Sequence, residues 1–200
     1  MSLKDAKVNF LVDMATDLFM SRSIQEVTIR DIAISAQVGE ATIYRYFGKK
    51  QELVVQSAMK LQSIVSSGYF KLDDKLNGYQ KLEAFYLSYL NIFDQHRNFY
   101  KFLSEFDAYM STENKDVLNP YEEAVDQYKS AFMKAYEQGL KDGSVKKQEN
   151  IDLFYFSTTH AVLELCKKLA LKAVLNQDLA IEKLGEVRCL IDIVLNALRK

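Results

Sequence analysis

Proline is almost absent and glycine is scarce: one proline and seven glycines among 200 residues, 48% of which are hydrophobic. A chain with so few helix breakers points to an all-helical protein. Cysteine is just as rare. Cys166 and Cys189 are too few and too far apart for a metal site or a disulfide framework, and read as reduced core thiols, with a redox sensor as the sharper alternative. No long hydrophobic run is present. The longest uncharged apolar stretch, Leu153 to Leu163, falls well short of the ~18 residues that span a bilayer, and no signal peptide is visible at the start, MSLKDAK. The expectation is a soluble, cytoplasmic protein with no membrane partner.

Charge of one sign is missing too, since the formal net charge is −1. Residues 1–60 hold eight Lys/Arg against seven Asp/Glu, a balance of only +1. Catalytic arrangements are lacking as well: no paired carboxylates on one apolar face, no Ser-His-Asp or Cys-His set, no glycine-rich phosphate loop. His96 falls in the loop Asp94-Gln95-His96-Arg97. An enzyme is therefore not expected, and no catalytic residue, cofactor or metal is assigned. Asp73-Asp74 resembles the opening of an Asp-rich metal motif, but Asn77 stands at the far position, and capping of a helix from Gly78 is the better reading.

What is present is one dense stretch, Thr28 to Leu53. Thr28 followed by Asp31, ahead of Ile29, Ile32, Ala33 and Ala36, is a capping-box-like helix start. The apolar pattern breaks at Gln37-Val38-Gly39 and resumes at Ala41, Ile43, Tyr44 and Phe47. Two short helices joined by a tight turn make a helix-turn-helix. Ile32, Ala36, Val38, Ile43 and Phe47 supply its lock. Glu40, Ala41, Thr42, Tyr44, Arg45 and Tyr46 are left for the major groove of duplex DNA. Arg45 and Arg30 can bond guanine, Ala41 and Thr42 can touch a thymine methyl, and Tyr44 and Tyr46 can reach bases or phosphates. Lys49 and Lys50, beside the next helix start, can hold a phosphate. With Thr28 these residues form the candidate DNA-binding set.

The segment Phe10 to Leu53 resembles the DNA-binding domain of the tetracycline-repressor (TetR) family of bacterial transcriptional regulators. The matching residues are Ala15, Leu18 and Phe19, then Thr28-Ile29-Arg30-Asp31-Ile32-Ala33, Val38, and Thr42-Ile43-Tyr44-Arg45-Tyr46-Phe47 with Lys50 and Leu53. Three positions depart from the pattern. Gln37 stands where the turn glycine is usual and costs roughly 1–2 kcal/mol if left-handed. Glu40 suits the positive end of a helix but repels phosphate. Ser23 replaces the glycine that commonly ends the first helix.

In chain order, a first helix from about Lys4 to Ser21 carries the stripe Val8, Leu11, Val12, Ala15, Leu18 and Phe19. A fourth helix begins near Lys50 and weakens at Ser66-Ser67-Gly68. The segments are then 1–49, a helix-turn-helix DNA-binding domain; 50–71, a connecting helix; and 72–200, a helical effector-binding and dimerisation domain. In the last, Leu82, Phe85, Tyr86, Tyr89 and Phe93 mark one helix; Phe99, Phe102, Leu103, Phe106 and Tyr109 mark another. Pro120 opens a third, through Tyr136 to a glycine-bearing end at Gly139–Gly143.

Of 12 Phe and 12 Tyr residues, only Phe10, Phe19, Tyr44, Tyr46 and Phe47 precede residue 60. Many tyrosines on converging helices suit a pocket with apolar walls and scattered hydroxyls, although each residue alone reads equally as core. The resemblance implies a small effector there, with Tyr89, Phe93, Phe102, Phe106, Tyr128, Phe132, Phe156 and His160 as candidates. Leu153 to Leu175 and Ile181 to Leu198 are apolar on more than one face and need a cover. The simplest cover is a second copy through Ala161, Leu165, Leu169, Leu190, Ile191, Val194 and Leu198, giving a four-helix homodimer interface, which the resemblance also implies. Two recognition helices would then meet a palindromic operator in successive major grooves about 34 Å apart. The expected protein is a dimeric, effector-released repressor; the alternative is a DNA-bound adaptor whose second domain binds a protein.

Overall fold

In the computed structural model, residues 2–70, 73–111, 115–172 and 181–200 are described. Their regular structure is helical, with one isolated antiparallel bridge, Val145 to Arg199. The helices are α1 (Leu3–Ser21), α2 (Ile29–Ser35), α3 (Glu40–Phe47), α4 (Lys50–Tyr69), α5 (Gly78–Gln95), α6 (Arg97–Met110), α7 (Asn119–Asp142), α8 (Ile151–Ala170) and α9 (Lys183–Leu198). A short 3-10 turn, Lys115–Leu118, leads into α7.

Local chemistry sets many of the ends. Ser2 with Asp5, Thr28 with Asp31, and Asn77 with Gln80 form reciprocal capping boxes at α1, α2 and α5. Asn77 is thus the cap of α5. Asp73 instead closes its own turn on the Lys75 amide at 2.9 Å, and Asp74 faces Lys81 at 3.8 Å. The expected domain start at Leu72 and the helix end at Leu175 lie outside the described residues.

The chain forms two compact units, residues 1–63 with 102–124, and residues 64–101 with 125–200. In the first, α1 packs on α2 and α2 on α3. Leu11, Ala15, Ile24, Val27, Ile32, Ile43 and Leu53 are its fully enclosed apolar centre. The C-terminal half of α6 belongs to the same unit, with Phe102, Leu103, Phe106 and Met110 buried. In the second, α5 packs on α8 and α9, and α8 on α9, around Leu82, Phe85, Tyr86, Phe93, Phe132, Val162, Val187 and Ile191. Helices α5 and α7 meet backbone to backbone at Gly78 and Gly139, where a Cβ on either residue would collide with its neighbours.

Candidate nucleic-acid interface

The interface starts from how α2 begins and ends. The Thr28 hydroxyl donates to Asp31 Oδ2 at 2.7 Å and accepts from the Asp31 amide at 3.1 Å. Hydrogen bonds from the backbone and side chain of Thr28 hold the Asp31 carboxyl below the usual carboxylate range. Thr28 therefore fixes the first turn of α2 while its side chain stays exposed. At the other end, Gln37 adopts φ 54°. Its amide donates to Ile34 O at 3.1 Å while the Val38 amide donates to Ala33 O at 2.9 Å. These are the two bonds of a Schellman ending, so Gln37 occupies the left-handed position that glycine favours.

The turn sets the direction of α3, whose N-cap is Gly39. Ile43 and Phe47 are buried at 0% and 8% exposure and lock the helix to its neighbours. Glu40, Ala41, Tyr44 and Arg45 are left exposed, and Thr42 and Tyr46 half-buried. The Arg45 guanidinium lies 5.1 Å from the Tyr46 ring centroid, a cation–π contact that restrains it without using its N–H donors on an acid. Gly48, at φ 69°, ends the helix, and Lys49 follows, exposed. Arg30 is exposed on the first turn of α2.

Lys50 differs from Lys49. Its ammonium donates to Gln25 O at 3.3 Å and sits 4.9 Å from the centroid of Tyr109 on α6. Burial lowers its pKa, with the Asp31 charge partly opposing. It closes the loop before α2 onto α6, a structural engagement that Lys49 does not share. Nothing in the one-dimensional pattern distinguishes the two neighbouring lysines.

In the second unit, Tyr89, Phe93, Tyr128 and Phe132 lie within or at the edge of an aromatic interior. It also contains residues that were not on the candidate list: Phe70, Phe85, Tyr86, Tyr100 and Tyr155. Phe85 touches the rings of Phe70, Tyr86, Tyr89, Phe132 and Tyr155 at 5.4–6.4 Å. Tyr86 shares a 2.6 Å hydrogen bond with Thr158, and Tyr100 donates to Tyr89 O at 2.9 Å. Burial raises the hydroxyls of Tyr86, Tyr89, Tyr100 and Tyr155 above the ordinary phenolic value, Tyr155 to about 12. All four stay neutral at physiological pH.

Phe156 and His160 are not brought into this interior. Both are exposed on α8, their rings 5.7 Å apart, with the Lys129 ammonium 4.8 Å from Phe156. Phe102 and Phe106 stack at 6.1 Å inside the first unit. These four effector candidates thus lie outside the aromatic interior of the second unit. The inward residue of α8 is Tyr155, one position from Phe156; a helix apolar on several sides gives no sequence signal to choose between them.

The dimer candidates also divide. Leu169, Ile191, Val194 and Leu198 are buried within their own chain at 5% exposure or less, and so have almost no surface to offer a partner. Leu165 and Leu190 are half-buried, and Ala161 is exposed. The apolar groups that α8 and α9 leave uncovered are Leu153, Phe156 and Ile193, at 64%, 44% and 62% exposure.

Two short helices locked by a buried pair, with an arginine, a tyrosine and small residues aimed outward from the second, define a helix-turn-helix DNA-binding protein. Residues 11–56 match the model of the bacterial regulatory proteins, tetR family, which supports a DNA-binding transcriptional regulator. It is 27% identical over 161 residues to the HTH-type transcriptional repressor KstR2 of Rhodococcus jostii (strain RHA1), covering 76% of this chain and 74% of that repressor. The solved ketosteroid transcriptional regulator KstR2 of Mycobacterium tuberculosis superposes with a TM-score of 0.65 at 16% identity, over 100% of this chain and 96% of that one. A transcriptional regulator from Saccharomonospora viridis in complex with choline gives 0.74 at 17% identity, over 98% of each chain. At these identities the structures speak for the fold. Among the described residues, no helix is long and apolar enough to cross a membrane.

Proposed function

We propose that the protein is a homodimeric repressor that holds a palindromic operator and leaves it when a small, largely apolar or aromatic effector binds. The observation that carries this reading is the outward set on α3, where Glu40, Ala41, Tyr44 and Arg45 are exposed while Ile43 and Phe47 lock the helix. Arg45 reads a guanine, Ala41 and Thr42 contact a thymine methyl, and Glu40 accepts from a cytosine amine. Tyr44, Tyr46, Arg30 and Lys49 complete the contact surface on bases and phosphates.

Residues 1–49 serve the DNA, 50–71 connect, and 72–200 hold the effector and the partner copy. The uncovered Leu153, Phe156 and Ile193 support a second copy as the cover for α8 and α9. The weak charge of residues 1–60 supports the same reading, because two modest patches on one duplex bind where one does not. Neutral phenols and phenylalanines in the second unit favour an uncharged ring compound, in keeping with the ketosteroid named for the Mycobacterium tuberculosis relative.

The test is enrichment of fragments of the source genome by the purified protein at two salt concentrations. A recovered palindrome bound by two chains supports the reading. Salt-sensitive background alone overturns it.

A further inference from the structure

Phe70 is the first residue past the end of α4, and its ring is built into the second unit. It stands edge-on to Phe85 and Tyr89 of α5, each at 5.4 Å, and to Tyr128 of α7 at 4.5 Å. Phe85 and Tyr128 are buried, whereas Phe70 is only half-buried. Its ring therefore closes the cluster from the outside. An enclosed ring such as Phe85 leaves only if α5 leaves with it; a ring just past the end of a helix can swing out while α5 and α7 stay packed.

The backbone beside Phe70 is held to α5 by few bonds. Ser88 Oγ donates to Tyr69 O at 2.6 Å, and the Tyr69 hydroxyl donates to Gln95 Oε1 at 2.8 Å. The Tyr69 ring edge-on to His96 at 5.5 Å and the ring contacts of Phe70 add to this attachment. The slot it fills is one aromatic ring thick, since the rings around it stand 4.5–5.4 Å away edge to face. No charged side chain is among those ring partners, so an anion entering the slot would find no counter-ion there.

We propose that Phe70 is a built-in stand-in for the effector: a neutral ligand bearing one or two fused aromatic rings takes its place against Phe85, Tyr89 and Tyr128. The displaced residue then frees the C-terminal end of α4. This rests on the effector reading above and adds the position of the ligand ring, its chemical class and what it displaces. Because α4 is one continuous helix from Lys50, directly after the recognition helix, its freed end is the signal. Ligand and operator then oppose each other reciprocally.

The experiment uses the full chain, indole as probe, titration calorimetry, and affinity for the operator recovered by genomic enrichment. In the wild type, indole must expel Phe70; in Phe70→Ala the slot is open, and indole is expected to bind at least tenfold more tightly. Without indole, Phe70→Ala is expected to hold the operator several-fold more weakly than wild type, and to respond little to added indole. Phe70→Leu, which keeps apolar packing, covers the case in which the alanine variant does not fold, and is expected to fall between the two. Equal indole affinity in the wild type and a folded variant overturns the stand-in while leaving the effector site intact. Tighter indole binding with unchanged operator affinity and response overturns the link to α4. No indole binding by either folded variant overturns the slot itself; operator release by some other ring compound would then still uphold the effector reading.

Discussion

Glu105 on α6 accepts the backbone amide of Ile24 at 2.8 Å, across 81 positions of chain. Ile24 is completely enclosed in the loop between α1 and α2, so its amide has no water to fall back on. Together with Lys50 over Tyr109, this bond makes the C-terminal half of α6 part of the helix-turn-helix unit. Glu105→Ala is expected to destabilise that unit by about 1–3 kcal/mol, the cost of an orphaned buried amide. Glu105→Gln keeps an acceptor and is expected to lose less; urea unfolding of the two variants checks both.

Gln37 at φ 54° carries the strain of a left-handed non-glycine residue. Gln37→Gly relieves it at some cost in unfolded-chain entropy, leaving an expected gain of up to about 1 kcal/mol. Gln37→Val, with a branched side chain at the same φ, is expected to lose stability. Thermal melting of the pair reads the sign of each.

In the proposed interface Arg45 reads bases and Lys49 attracts phosphate. Arg45→Ala is expected to cost roughly 1–3 kcal/mol on the operator and to blur one base position. Lys49→Ala is expected to weaken all sequences alike and reduce the salt slope by about 1. Lys50→Ala, by contrast, is expected to lower folding stability, because its ammonium is engaged with Gln25 and Tyr109. Equal losses on every DNA sequence for Arg45→Ala and Lys49→Ala would overturn the base-reading role of Arg45.

Asp5, Asp31 and Asp142 are each held below the usual carboxylate range by hydrogen bonds: Asp5 from Ser2, Asp31 from Thr28, and Asp142 chiefly from Ser144 and Gly78. Because the folded values are the lower ones, their stabilisation is complete above the unfolded value of about 3.9 and is lost as pH falls through the folded values. Acid unfolding is therefore expected to steepen below about pH 4, and Asp31→Asn to flatten that limb. Denaturant titrations from pH 6 to pH 2.5 test this; an unchanged acid limb in Asp31→Asn would count against it.

The two thiols are expected to react at different rates. Burial pushes the Cys166 thiol up to about 12, whereas Cys189 is exposed on α9. At neutral pH one thiol per chain should label rapidly in dilute protein and the second only on unfolding. In the dimer proposed here Cys189 flanks the covered face, so its labelling is expected to slow as concentration rises. A rate independent of concentration would argue against that face.

The helix-turn-helix was legible in the sequence because its signals are short-ranged. Thr28 and Asp31, Gln37 and Val38, and Ile43 and Phe47 each act within one or two turns of backbone. The all-helical class was legible for the same reason, since one proline and seven glycines leave few places to break a helix. Tertiary structure decided which side of an apolar helix faces in: Tyr155 rather than Phe156 on α8, and Ile191 and Leu198 turned into their own chain. It also decided that Phe102 and Phe106 fill the first unit, that Lys50 is anchored while Lys49 is exposed, and that Phe70 closes the aromatic cluster. Periodicity specifies a face only when the other faces are polar; where a helix is apolar nearly all round, its orientation is chosen by packing against residues distant in the chain.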